Sequence, residues 1–224
     1  MTALGDLVWT DLDGHRPVLV VPMGSIEQHG PHLPLDTDTR IATAIAAAAV
    51  ARRDDCVLAP AIAIGASGEH AGFAGTLSIG TDALRTVLVE LARSADAFAG
   101  VVFVNGHGGN GDALRTAIAT ATGEGRSVHA WSPSITDGDA HAGRTETSLL
   151  LAIAPDCVRA EAIAVGETAP IGALLGRLRS EGVRAVAPNG VLGDPTGASA
   201  AEGAVLLARL VDDLADRLDE WCRP

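Results

Sequence analysis

Short β-branched runs recur along this chain, and each is followed by a stretch rich in alanine and leucine at helical spacing. That alternation constrains the fold more than any other feature, because parallel strands need a crossover and a helix supplies it. Strands are expected at PVLVVPM (17–23), CVLAPAIAI (56–64), GVVFVNG (100–106) and SVHAW (127–131), with one or two more around AIAVGE (162–167) and RAVAPNG (184–190). Helices are expected over 39–53, 81–99, 111–125, 145–153, 170–182 and 199–221. In the second of these, Leu84, Val87, Leu88, Leu91 and Ala95 mark one apolar face. The last opens with Ser199, Ala200, Ala201 and Glu202, the spacing of a capping box. No repeat, charge block or low-complexity linker interrupts the pattern, so a single α/β domain across 1–224 is expected.

The unusual composition lies in the connections. MGSIEQHGPHLPLDTDT follows the first strand, GASGEHAGFAGT the second, NGHGGNG the third and SPSITDGDAHAGRTE the fourth. In an open parallel sheet, loops that run from strand to helix emerge at the carboxyl edge, where ligands bind. Loops rich in His, Asp and Glu are therefore expected to converge on one edge.

Composition removes several kinds of chemistry. All 16 basic residues are arginine, and the chain has no lysine and no tyrosine. A Schiff-base lysine, a phosphate-loop lysine and a catalytic phenol are excluded. The net charge of −12 opposes a nucleic-acid surface. Cys56, Cys157 and Cys222 are isolated and suit a reducing compartment better than a disulfide framework. No signal-peptide pattern or membrane-length apolar run is present, so a cytoplasmic protein with no membrane partner is expected.

Glu27 and His29 stand two apart, so in an extended segment their side chains leave on the same side. Asp38 arrives where the next helix starts, and the three form a mixed N/O set suited to zinc, manganese or iron. His32, Asp36 and Thr37 read as a loop residue and helix caps. His107 is flanked by glycines that let the backbone approach a ligand. The loop after the fourth strand offers Asp137, Asp139, His141 and Glu146; His141 reads as a proton donor, and Glu146 as a ligand, a base or a capping acid. Glu69 and His70 read as contacts to substrate or behind the ligands, as do Asn105 and Asp139. His15 and His129 read as ordinary.

EQHGPHLPLDTDT, GEHAGFAGT, NGHGGN, DAHAGRTETS and GVLGDPTGASAAEG, in this order, resemble the creatininase family of binuclear-metal amidohydrolases. The resemblance implies a three-layer α/β/α fold with a mostly parallel sheet and two divalent metal ions per subunit. It maps metal binding onto Glu27, His29, Asp38 and His107, with Asp38 bridging, and the catalytic histidine onto His141. Creatinine amidohydrolase carries a glutamate ligand two residues after the loop histidine; here that position is Gly109. One ligand must then come from elsewhere, and Glu146 is the expected residue. The motifs also resemble a peptidase subgroup that trims a small modified precursor peptide. Hydrolysis of a small cyclic amide or a formamide is the alternative, and a non-catalytic metal-binding scaffold the third. The resemblance further implies a ring-like homo-oligomer, often a hexamer.

Overall fold

The computed structural model describes residues 2–136 and 138–222. Its sheet has strands β1 (Val18–Met23), β2 (Cys56–Leu58), β3 (Gly100–Asn105) and β4 (Val128–Trp131) in the order β2-β1-β3-β4, every pair parallel. The helices are α1 (Thr37–Val50), α2 (Thr81–Ser94), α3 (Gly111–Gly123), α4 (Arg144–Ile153), α5 (Ile171–Glu181), α6 (Val183–Val186) and α7 (Ala200–Trp221).

Strand side chains alternate between faces, and the two faces are covered by different helices. Val18 and Val20 of β1 pack with Ile41 and Ile45 of α1, Leu149 and Leu150 of α4, and Leu210, Val211, Leu214 and Leu218 of α7. Leu19, Val21 and Met23 pack the other way, against Leu84 and Leu88 of α2 and Leu114 of α3. This is the three-layer α/β/α arrangement with a parallel sheet. Alanines at 42, 46 and 49 line the buried stripe of α1 and let that helix lie close to the sheet. Among the described residues, no helix is long and apolar enough to cross a membrane.

Several local expectations change. The strand predicted over 56–64 stops at Leu58: Ala59 still donates to the Val20 carbonyl, but the next bond to β1 comes from Ile62 to the Pro22 carbonyl, one residue out of register. Pairing with β1 resumes only as an isolated bridge between Met23 and Ile62. Residues 162–167 and 184–190 form no strand; Val183–Val186 is helical, and Val186, Ala187 and Leu192 pack against Leu174 of α5 in a separate small cluster. On α2 the buried positions are Leu84, Leu88, Val89 and Ala92, while Val87 is exposed. The capping box of α7 is one-sided. Ser199 Oγ accepts from the Glu202 amide, but the Glu202 carboxylate accepts from Arg144 and Ser148 instead.

Candidate metal centre

The parallel register places the ends of β1 and β3 side by side, Met23 opposite Asn105, so the loops that leave them share one edge. The first loop folds back on itself: the Leu33 amide donates to the His29 carbonyl, and the Glu27 amide to the Leu35 carbonyl. This return brings Asp38, in the first turn of α1, back to His29. Asn110 ties three loops together. Its Nδ2 donates to the Gly24 carbonyl after β1 and to Asn105 Oδ1, and its Oδ1 accepts from the Ala66 amide after β2.

Asp38 stands at the middle of the cluster. One oxygen lies 3.0 Å from His29 Nε2 and the other 3.1 Å from His107 Nδ1, with Ser25 Oγ donating to it at 2.8 Å. Glu27 is fully buried, with Oε2 3.2 Å from His107 Nε2 and Oε1 3.4 Å from His70 Nε2 and 3.8 Å from His141 Nδ1. Among the described residues, neither Glu27 oxygen has a hydrogen-bond partner. A buried carboxylate of that kind is costly unless it is paired or coordinates a metal. Glu146 enters from the first turn of α4, its Oε2 4.0 Å from His29 Nε2 and accepting from the Ala142 amide at 2.6 Å. Ala142, between His141 and the helix, is fully buried with φ 51°, a left-handed conformation that costs a side-chain-bearing residue energy and often marks a functional site.

The hydrogen-bond pattern fixes how the rings present themselves. His29 Nδ1 donates to the Glu27 carbonyl, which turns Nε2 toward Asp38 and Glu146. His107 Nε2 donates to the Ala66 carbonyl at 3.1 Å, which turns Nδ1 toward Asp38. A ring N–H held by a carbonyl is the usual support of a metal-ligating histidine.

Charges follow the same layout. Burial alone would pull His29 down, yet Asp38, Glu146 and Glu27 push its pKa up to about 9. His107 is likewise raised well above its ordinary range: Asp38 and Glu27 outweigh burial. Despite burial, Asp38 is lowered by His29 and His107, and Glu27 by His107 and His70. Burial pushes Glu146 up to about 7, and burial beside His29 takes His141 down to about 3.

Donor atoms gather in three overlapping groups: Glu27, Asp38 and His107; His29, Asp38 and Glu146; and Glu27, His29 and His141. Within each group, one atom per residue lies within 4.8 Å of the others. Asp38 belongs to two of them, so the cluster has the donors of a binuclear site. The mixed N/O chemistry and the unpartnered Glu27 oxygens fit divalent transition metals. A cavity of about 400 Å³ opens onto Asp38, His107, His141 and Glu146, with Ile41, Ile135 and Leu149 among its apolar walls.

A sequence-family model described as "Creatininase: Creatinine amidohydrolase" matches residues 6–218. The chain belongs to the creatininase family. A "Mycofactocin precursor peptide peptidase" of Mycolicibacterium smegmatis is 53% identical over 227 residues, covering 98% of this chain and 92% of the relative. The protein of that name from Mycobacterium ulcerans is 51% identical over 228 residues, covering 97% of this chain and 91% of the relative. Among solved structures, "Creatininase Mn" superposes with a TM-score of 0.84 at 25% identity, covering 100% of this chain and 99% of that one. A crystal structure of creatinine amidohydrolase (creatininase) matches in fold, with a TM-score of 0.85 at 24% identity and the same coverage.

The residues singled out from sequence fall into distinct places. Glu27, His29, Asp38, His70, His107, His141 and Glu146 come together. Asn105 lies behind His107, donating to its carbonyl and accepting from its amide. Asp139 borders the cavity, but its carboxylate accepts the Arg144 and Thr145 amides, at 3.0 Å for the latter, and so caps α4. Asp137 lies outside the described residues. Asp36 makes no side-chain cap to α1; its carboxylate accepts from Arg40 Nε, and Thr37 Oγ1 donates to the Pro34 carbonyl. His32 is not an ordinary loop residue. It is fully buried, with Nε2 2.9 Å from Thr147 Oγ1.

Gly109 acquires a local reason. A Cβ there would stand 2.4 Å from His107 Nε2 and from the Ala66 carbonyl, and 2.5 Å from Glu69 Oε1. The Glu69 carboxylate fills that space, 3.6 Å from His107 Nε2. Sequence reasoning missed Gln28, whose carboxamide meets His70 and whose backbone carbonyl meets His141, and the tie made by Asn110. The only signal for Gln28 was its place between Glu27 and His29, where an extended chain points it away from both.

Proposed function

We propose that this protein is the metal-dependent peptidase of mycofactocin biosynthesis, releasing the modified C-terminal Val-Tyr dipeptide from the precursor peptide by hydrolysis of an amide bond. The observation that carries the chemistry is the shared carboxylate of Asp38 between two donor groups beside the unpartnered oxygens of Glu27. The substrate class rests on relatives at 51–53% identity over nearly the whole chain. Glu27, Asp38 and His107 would hold one divalent ion, and His29, Asp38 and Glu146 the other; zinc, iron and manganese all suit these donors. When bound, such ions acidify a water and polarise the scissile carbonyl.

The chain's own groups handle the protons. His141 Nε2 donates to the Gln28 carbonyl at 2.8 Å, leaving Nδ1 free on the side of Glu27. Because its surroundings disfavour the imidazolium, a proton taken at Nδ1 from the attacking water is given up readily. It passes to the leaving amine nitrogen as the C–N bond breaks and the new C–O bond stays with the acyl half. Glu69 and His70 border this centre from the loop after β2, where they suit contacts to substrate.

Beside the cavity at the centre lies a second one of about 630 Å³, bordered by Arg144, Ile171 and Arg209, with Ile135, Gly138 and Thr145 common to both. Two adjoining cavities suit an extended peptide better than a compact ring. The test is mass spectrometry of metal-loaded protein incubated with modified precursor, unmodified precursor, creatinine and a formamide. Cleavage of the modified precursor alone is expected, lost on chelation. Equal cleavage of both precursors, turnover of the small amides only, or full activity after metal removal would overturn the proposal.

A further inference from the structure

Gln28 lies between two proposed ligands yet points away from them, buried among three loops. Its Oε1 accepts from the Gly30 amide at 2.9 Å. Its Nε2 lies 2.9 Å from His70 Nδ1, 3.0 Å from the Gly190 carbonyl and 3.0 Å from His141 Nε2. The carboxamide orientation is determined by the backbone. Reversing it would set its NH2 against the Gly30 N–H and its oxygen against the Gly190 carbonyl.

One distribution of protons gives each carbonyl an N–H, and the approach of Gln28 Nε2 to His141 Nε2 then carries no hydrogen bond. Carbonyl oxygens only accept, so His141 Nε2 donates to the Gln28 backbone carbonyl at 2.8 Å. The two carboxamide hydrogens then go to the Gly190 carbonyl and to His70 Nδ1, which must be unprotonated. The His70 proton is left on Nε2, the nitrogen 3.4 Å from Glu27 Oε1. His141 keeps a lone pair on Nδ1, 3.8 Å from that same oxygen.

We propose that Gln28 is a positioning residue: its carboxamide sets the tautomer of His70, and its backbone carbonyl sets that of His141. Around the Glu27 carboxylate, one histidine thereby offers an N–H and the other a lone pair. The carboxylate is steadied from the His70 side while its remaining lone pairs stay turned toward the donor groups. The inference rests on the metal-centre reading, but its main readout needs neither metal nor substrate.

The experiment uses the ¹⁵N-labelled, metal-free full chain and long-range ¹H–¹⁵N spectra of the imidazoles at neutral pH. Wild type is expected to show both His70 and His141 protonated on Nε2. In Gln28→Leu, His70 becomes a mixture of tautomers. In Gln28→Glu, which keeps the size and the bond from Gly30, His70 moves to the Nδ1–H form. His141 is unchanged in both, since its partner is backbone. Zinc affinity by chelator competition is expected to fall about 10- to 100-fold in each variant, and kcat on a turned-over substrate by a similar factor with KM little changed. His70 protonated on Nδ1 in wild type would overturn the proposal. So would an unchanged His70 tautomer with wild-type zinc affinity in either folded variant. Loss of peptidase activity alone, with the His70 signals as expected, would count against the substrate reading and leave this one standing.

Discussion

The two halves of the metal centre are built differently. Around Glu27 and His107, the donors sit where rigid strands end, and Asn105 and Asn110 brace the loop behind them. Around Glu146 and His141, they hang from the start of α4 and the loop before it, beside a left-handed alanine. Glu27 is wholly enclosed, whereas the Glu146 side chain is 21% exposed at the cavity. Glu27 is therefore walled in by its neighbours, while Glu146 reaches the cavity. Asp38 belongs to both and is the point on which they depend together.

The largest effect is expected from Asp38→Ala. Both ions lose a donor, and metal content by mass spectrometry should fall from about two per chain to near none, with activity down about 1,000-fold or more. Retention of one full equivalent would show that the halves bind independently.

A smaller, asymmetric loss should follow from changes in one half. Gly109→Ala forces its Cβ against His107 and the Ala66 carbonyl and should loosen the enclosed half. Glu146→Gln should weaken the exposed half. Each is expected to lower activity about 10- to 100-fold and to leave about one ion bound. Equal depletion of both ions in either variant would break the comparison.

Acidity should act in opposite directions on the metal-free and loaded protein. In the metal-free protein, His29 is raised from 6.5 to about 9, so its ion pair stabilises the fold fully below pH 6.5 and is lost as pH climbs through about 9. Metal must displace that proton, so affinity should rise with pH over the same window. Thermal melts from pH 6.5 to 9 are expected to show Tm falling without metal and rising at fixed low zinc. Parallel trends would mean that His29 is not held between Asp38 and Glu146.

Ser199→Ala provides the smallest change, at the N-terminus of α7. Loss of the α7 cap should cost about 1 kcal/mol of stability in a denaturant titration. Metal content and activity should not change.

Much of this was legible in the chain. The strand–helix alternation placed β1, β3 and β4 and the loops at their ends, because hydrophobic periodicity reports local structure directly. Glu27, His29, Asp38 and His107 stood out because ligand-type side chains rarely crowd into glycine- and proline-broken loops. Segments 162–167 and 184–190 misled, since a short apolar run reads alike whether it joins a sheet or fills a satellite cluster. Gly182 and Gly190, both at positive φ, frame the second of them as helix and turn. His32 and Gln28 escaped notice because their partners, Thr147 and Gly190, lie more than a hundred residues away. The reason for Gly109 lies in Glu69, on the loop after another strand.

Asn110 has a bearing on how the molecule comes into being. Its amide joins loops that start near residues 24, 66 and 105, so it cannot make its bonds until β1, β2 and β3 are already side by side. Glu27, His29 and Asp38 are close in sequence, but His107 and Glu146 are far from them. A nascent or partly folded polypeptide would hold them far apart, and closing such long loops is slow. Complete metal capture is thus expected after the sheet has formed, and a refolding rate unchanged by added zinc would bear this out.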